Sequence, residues 1–217
     1  MNPLPAVRDA WFFFTHHISA IARLCLPLLL LEAFCQYQLT AHFGADANPA
    51  YAILLGALFY PLYAGPLILF LDARSNGHNP GSLQLIGAGL QLWPAFALLT
   101  GLSTLLIAVG LSLFILPGLW VMIRLAFSEP ILVLQRTAPL QAMQQSFAMS
   151  RGRFLPLFAC LTGLLVPLWL LEWWTTPKPG DSLLWILHQA GNGFLQLFAL
   201  VVVFRLYMIL VTQAARH

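Results

Sequence analysis

The 217-residue chain is 60% hydrophobic and only 8% charged, whereas soluble domains carry about 25% charged residues. A soluble fold of this size cannot hide that much apolar surface, because surface-to-volume scaling leaves a large share of residues exposed. The formal net charge of +3 is spread over scattered basic residues, which gives nucleic-acid binding no support.

Residues 1–17 open on two prolines and then read as a helix, with Val7, Trp11, Phe14 and Ile18 on one face and Arg8, Asp9, His16 and His17 at its edges. A segment of this kind lies in the membrane interface. Adjacent histidines point about 100° apart on a helix, so interfacial polar contacts suit His16 and His17 better than joint metal ligation. The first span covers residues 18–39 and carries Arg23 near its start and Glu32 in its farther half. It is too long for a signal-peptide core and lacks a small-residue cleavage site, so it is expected to stay in place as a helix.

The second span, residues 51–71, contains Pro61 and Pro66 and should bend there. Residues 75–81 form a turn, after which Ser82 can cap a short amphipathic helix with Leu83, Ile86, Leu90 and Trp93 on its apolar face. The third span, residues 94–116, reverses at Pro117-Gly118. The fourth, residues 119–134, is short and holds Arg124, Glu129 and Pro130, so it is expected to be either tilted little or locally broken.

Thr137 and Pro139 suit the start of another short helix, with Leu140, Met143, Phe147 and Phe154 along one face. The fifth span is residues 154–174. A Pro/Gly loop follows over 175–181, then a short interfacial helix over 183–190 that Gly191-Asn192-Gly193 interrupts. The sixth span is residues 194–211. The expected fold is all-α: one polytopic membrane domain, 1–217, with six transmembrane helices and three cytoplasmic-side interfacial helices. With the N-terminus inside, Arg8, Arg74, Arg136, Arg151, Arg153 and Arg216 fall in cytoplasmic segments and Lys178 on the far side. The positive-inside rule then places both termini in the cytoplasm.

Residues 94–102 read PAFALLTGL and residues 156–164 read PLFACLTGL. Together with the layout of the first segment, this suggests three units of surface helix plus membrane hairpin, 1–72, 73–135 and 136–217.

A charged side chain at membrane depth costs roughly 2.5–3.5 kcal/mol on insertion scales and so faces a partner or a wet cavity. The candidates are Arg23, Glu32, Arg124, Glu129 and Arg205. Arg124 and Glu129 lie about 140° apart round their helix and cannot pair with each other. Counting along the spans pairs Glu129 with Arg205 in the inner half and Glu32 with Arg124 in the outer half. A closed bundle with every charge paired would mark a structural, membrane-organising protein; a pocket lined by them would mark a transporter or lipid-translocating component. Arg151 and Arg153 are placed to meet anionic lipid headgroups. No catalytic motif lies in the spans, and no metal or cofactor is expected. Cys25, Cys35 and Cys160 share no ligand spacing and read as reduced thiols packed as small hydrophobes. His188 reads as a satisfied polar residue rather than a base.

The run LPGLWVMIRLAFSEPILVLQ, the following helix with Ser146, its ending SRGRF, the closing Phe204-Arg205-Leu206-Tyr207-Met208 and the opening Arg8-Asp9 resemble the bacterial YciC-like inner-membrane protein family. The first of these runs is also distantly similar to the membrane domain of some glycerophosphodiester phosphodiesterases. The resemblance implies a six-span inner-membrane protein of poorly defined function, tied to envelope or lipid homeostasis; the chain itself is expected to be non-enzymatic and to organise or support the membrane, with a transporter or lipid-translocating component as the alternative. Membrane lipids, and other envelope proteins, would be its partners. It implies no catalytic residues.

Overall fold

The computed structural model describes residues 4–43, 48–175 and 182–214. They form nine helices: α1 Leu4–His16, α2 Ile18–Phe43, α3 Pro49–Ser75, α4 Ser82–Leu113, α5 Ile115–Leu125, α6 Ser128–Gln135, α7 Pro139–Met149, α8 Phe154–Thr175 and α9 Ser182–Ala214. Six stretches are long and apolar enough to cross a membrane, with α5 and α6 together making the fourth. The spans alternate in direction, so α1, the α3–α4 turn, the α6–α7 turn and the last turns of α9 share one end. This end also carries Arg8, Arg23, Arg74, Arg136, Arg151 and Arg153 and is called the basic end below. The core sits between α2, α3, α6 and α9, around Leu67, Ile68, Leu71, Ile131, Leu132 and Phe204.

Local chemistry sets the breaks. Asn48 Oδ1 accepts from Ala50 N (3.0 Å) and caps α3, with Pro49 supplying the first-turn φ. Pro61 and Pro66 lie within α3 without ending it. The indole of Trp93 donates to Leu58 O (2.9 Å) in the turn that Pro61 loosens.

Three expectations about boundaries are corrected. The short helix expected at Leu83–Trp93 is the opening of α4, a single helix of 32 residues that runs through Pro94. The segment 183–190 likewise continues through Gly191-Asn192-Gly193 into α9, 33 residues long. In both, i to i−4 bonding and apolar neighbours outweigh the local breakers. The reversal after the third span falls at extended Phe114 (φ −165°, ψ 158°), while Pro117 and Gly118 belong to the first turns of α5. Gly118 is needed there because a Cβ would sit 2.4 Å from Leu111 Cγ, and one on Gly110 would sit 2.8 Å from Gly118 Cα. Two backbones thus touch where the sequence suggested only a turn.

The short helices turn other residues toward the bundle. α1 buries Ala6, Ala10, Phe13 and Phe14, whereas Trp11 and Ile18 are exposed. Phe14 packs on Phe194 and Phe198 of α9. In α7 the buried line is Ala142 and Ser146, with Leu140 exposed. The small residues let α7 approach α4, α5 and α6 closely, which the apolar stripe would not.

Candidate functional site

The fourth span is broken at Ala126-Phe127, just ahead of Pro130. Pro130 has no N–H to donate, and its ring crowds the carbonyl four residues earlier. The break leaves Phe127 N and Arg124 O without helical partners. Ser146 of α7 serves both: its Oγ accepts from Phe127 N (3.1 Å) and donates to Arg124 O (2.6 Å). Ser128 Oγ donates to Leu125 O (2.6 Å). This stitched break turns α6 so that Glu129 meets α3.

Tyr60 of α3 donates to Glu129 Oε2 at 2.7 Å. One turn on, Tyr63 faces Glu32 of α2, and the two tyrosine rings stand edge to face at 5.6 Å. Glu32 Oε1 accepts from Gln36 Nε2 (3.2 Å), and Gln36 Oε1 accepts from Gln189 Nε2 (3.3 Å) across to α9. Gln196, two turns along α9, donates to Glu172 Oε2 (3.2 Å). The carboxylates expected in opposite halves of the membrane therefore meet the same two turns of α3.

Two adjoining cavities hold this network. One, of about 290 Å³, is lined by Tyr60, Tyr63, Ser103, Glu129 and Gln196 among apolar residues of α4, α5, α8 and α9. The other, of about 200 Å³, is lined by Glu32, Gln36, Tyr63, Glu172, Gln189 and Asn192. Tyr63, Gly193 and Gln196 border both. Among the described residues, neither lining contains a lysine, arginine or histidine.

The arginines expected as partners are elsewhere. Arg124 Nη1 donates to Phe147 O (3.2 Å) and Ser150 Oγ (3.4 Å), and its guanidinium lies 5.1 Å from the Trp120 ring centroid. The last carbonyls of a helix form a negative dipole end that satisfies a cation without a carboxylate. Arg205 lies 4.9 Å from the Phe13 ring centroid, with Asp9 of α1 supplying nearby negative charge. Neither expected ion pair, Glu32–Arg124 or Glu129–Arg205, is formed. Arg23 is exposed near the basic end, apart from both acids. Arg151 is exposed beside Arg124 at a hollow of about 240 Å³, and Arg153 is half-buried at the start of α8. His188 is satisfied, with Nε2 2.8 Å from Thr175 Oγ1 and 3.1 Å from Asn192 Nδ2.

Sequence reasoning overlooked Tyr60, Tyr63, Gln36, Gln189, Asn192 and Gln196. Their signal was present as helical spacing of polar residues within apolar runs: Glu32 with Gln36, Tyr60 with Tyr63, and Gln189, Asn192 and Gln196 down one side of α9.

Fold and site together define a polytopic, all-α membrane protein with an acidic polar interior. The chain belongs to the uncharacterised protein family UPF0259, whose model matches residues 45–209. The YciC-like resemblance agrees with this, since YciC is a member. The likeness to the phosphodiesterase-linked membrane domain finds no support in these matches. A UPF0259 membrane protein of Pectobacterium carotovorum subsp. carotovorum (strain PC1) is 25% identical over 188 residues, which is 83% of this chain and 72% of that protein. Those of Yersinia pestis (strain Pestoides F) and Yersinia pseudotuberculosis serotype O:1b (strain IP 31758) are each 31% identical over 153 residues, 69% of this chain. This chain spans 59% of the length of each Yersinia relative. No solved structure matches.

Proposed function

We propose that this protein is a non-enzymatic transport or translocation component whose acidic interior takes protons, metal cations or a cationic solute. One observation carries the reading: Glu32 and Glu129 face adjoining cavities in whose linings no described residue is basic. Buried carboxylates kept solely to hold a bundle together would pair with its arginines. Here Arg124 turns instead to Phe147 O, Ser150 Oγ and the Trp120 ring, and Arg205 to the Phe13 ring, although the Nε of each is left without an acceptor. Intramembrane acids that line cavities are the groups from which proton and cation pathways are built. In this reading the basic end faces the cytoplasm of a bacterial inner membrane, and envelope lipid homeostasis is the process that the transport serves.

The test is flux into proteoliposomes. Purified protein is reconstituted with a trapped pH dye, and protons, sodium, potassium and spermidine are offered in turn. Flux above that of empty vesicles for at least one of them, abolished by Glu129→Gln or Glu32→Gln, supports the reading. Wild-type vesicles indistinguishable from empty ones for all four would overturn it.

A further inference from the structure

The basic end contains another cavity, of about 330 Å³, built on the opposite charge. Four basic side chains line it: His16 and His17 at the α1–α2 corner, Arg23 early in α2, and Arg74 in the last turn of α3. Asn79 and the Gly81-Ser82 start of α4 close it, and among the described residues the lining includes no carboxylate. Asp72, the acid nearest in sequence, accepts from Asn76 Nδ2 (3.2 Å) and is not part of the lining.

Three details suit the cavity to an anion. The Arg74 guanidinium lies 5.4 Å from the Phe70 ring centroid, yet its Nε is buried with no acceptor. A buried donor without an acceptor is costly. The N-cap of α4 is Gly81, which offers no side-chain cap to the first amides of the helix. Finally, burial, and then the positive charges of Arg74 and His16, hold the His17 imidazole below its ordinary value.

We propose that this cavity binds a phosphate group between the Arg23 and Arg74 guanidiniums and the first amides of α4, with His16 and His17 at its rim. Guanidinium forks match phosphate geometry, and a helix N-terminus adds oriented N–H groups and positive potential. The phosphate belongs either to a lipid headgroup or to a free anion. The site does not depend on the acidic interior or on its role in transport.

The test uses the full chain in a neutral detergent with two probes: inorganic phosphate, followed by ³¹P NMR line broadening, and phosphatidylglycerol, followed by native mass spectrometry. Wild type should bind at least one of them saturably, and Arg23→Gln with Arg74→Gln should weaken that binding about tenfold or more. Gly81→Asp is a second variant that retains both arginines. Gly81 has φ −70° and ψ 150°, with open space for a Cβ, so aspartate fits as a capping residue. Its carboxylate occupies the anion's place, so binding should fall as far while thermal stability is kept. Arg8→Gln, exposed and outside the cavity, should leave binding unchanged. Retention of phosphatidylglycerol alone identifies a lipid headgroup site, and of phosphate alone a soluble-anion site. The proposal falls if neither probe binds, if binding survives both the arginine pair and Gly81→Asp, or if Arg8→Gln abolishes it equally.

Discussion

The interior cavities and the hollow at the basic end draw on the same two helices with opposite results. α2 brings Arg23 to the end of the bundle and Glu32 to its interior; α3 brings Arg74 to that end and Tyr60 and Tyr63 to the acids. Glu32 and Glu129 therefore gather inside while Arg23 and Arg74 gather at the end, instead of pairing with one another. Like charges around a void are unfavourable until something of the opposite sign enters. The two regions differ in support as well. The acidic interior depends on α7 holding a broken span in place, while the basic hollow is framed by the ends of intact helices.

That difference can be broken most forcefully at Ser146. Ser146→Val removes the one hydroxyl that serves Phe127 N and Arg124 O, leaving two buried backbone groups unsatisfied at about 1–3 kcal/mol each. Unfolding in mixed detergent micelles should report this loss. Labelling of Glu129 by a carbodiimide should change with it, while phosphate or phosphatidylglycerol binding at the basic end stays as in wild type. Parallel loss of both would show that the two regions are one cooperative unit.

Tyr60→Phe is a milder attack on the same region. It removes the hydrogen bond to Glu129 and should cost about 1.5–3 kcal/mol if that carboxyl is ionised, less if it is neutral. Adding Glu129→Gln should recover part of the loss, and a fully additive pair would mean that the 2.7 Å contact contributes nothing.

A double-mutant cycle decides which partner holds Arg124. Arg124→Gln with Trp120→Leu should show a coupling of about 0.5–2 kcal/mol, because the guanidinium lies on the indole. The cycle with Glu32→Gln should show none. Coupling to Glu32 instead would restore the ion pair expected from counting along the spans.

The smallest expected effect is at His17. Its folded-state imidazole titrates below the unfolded value of 6.5, so the neutral form is the one that folding favours. Its contribution is therefore complete above the unfolded value and is lost as acidification protonates it, with Arg74, His16 and Arg23 repelling the new charge. Wild type should lose slightly more thermal stability than His17→Gln between about pH 8 and about pH 5, and saturating phosphate should shrink the gap.

The six spans were legible because apolar run length answers directly to bilayer thickness, while Pro130 and the short fourth run left low tilt and a local break both open. The single long helices α4 and α9 were not, since Pro94 and Gly191-Asn192-Gly193 are local breakers overruled by tertiary packing. Among the site residues, composition alone marked Glu32 and Glu129 as costly and therefore placed for a reason. Their companions depend on which helix faces lie side by side. Depth along a span can be counted from sequence, but azimuth and neighbour cannot, so counting pairs Arg124 with Glu32 where Phe147 O, Ser150 Oγ and Trp120 hold it. The sequence by itself determined how many times the chain crosses and which groups must be sheltered. Only the packing of α2, α3, α6 and α9 decided that acids would meet tyrosines and amides inside and arginines would meet histidines at one end, because rotation about each helix axis is set by the neighbours it touches.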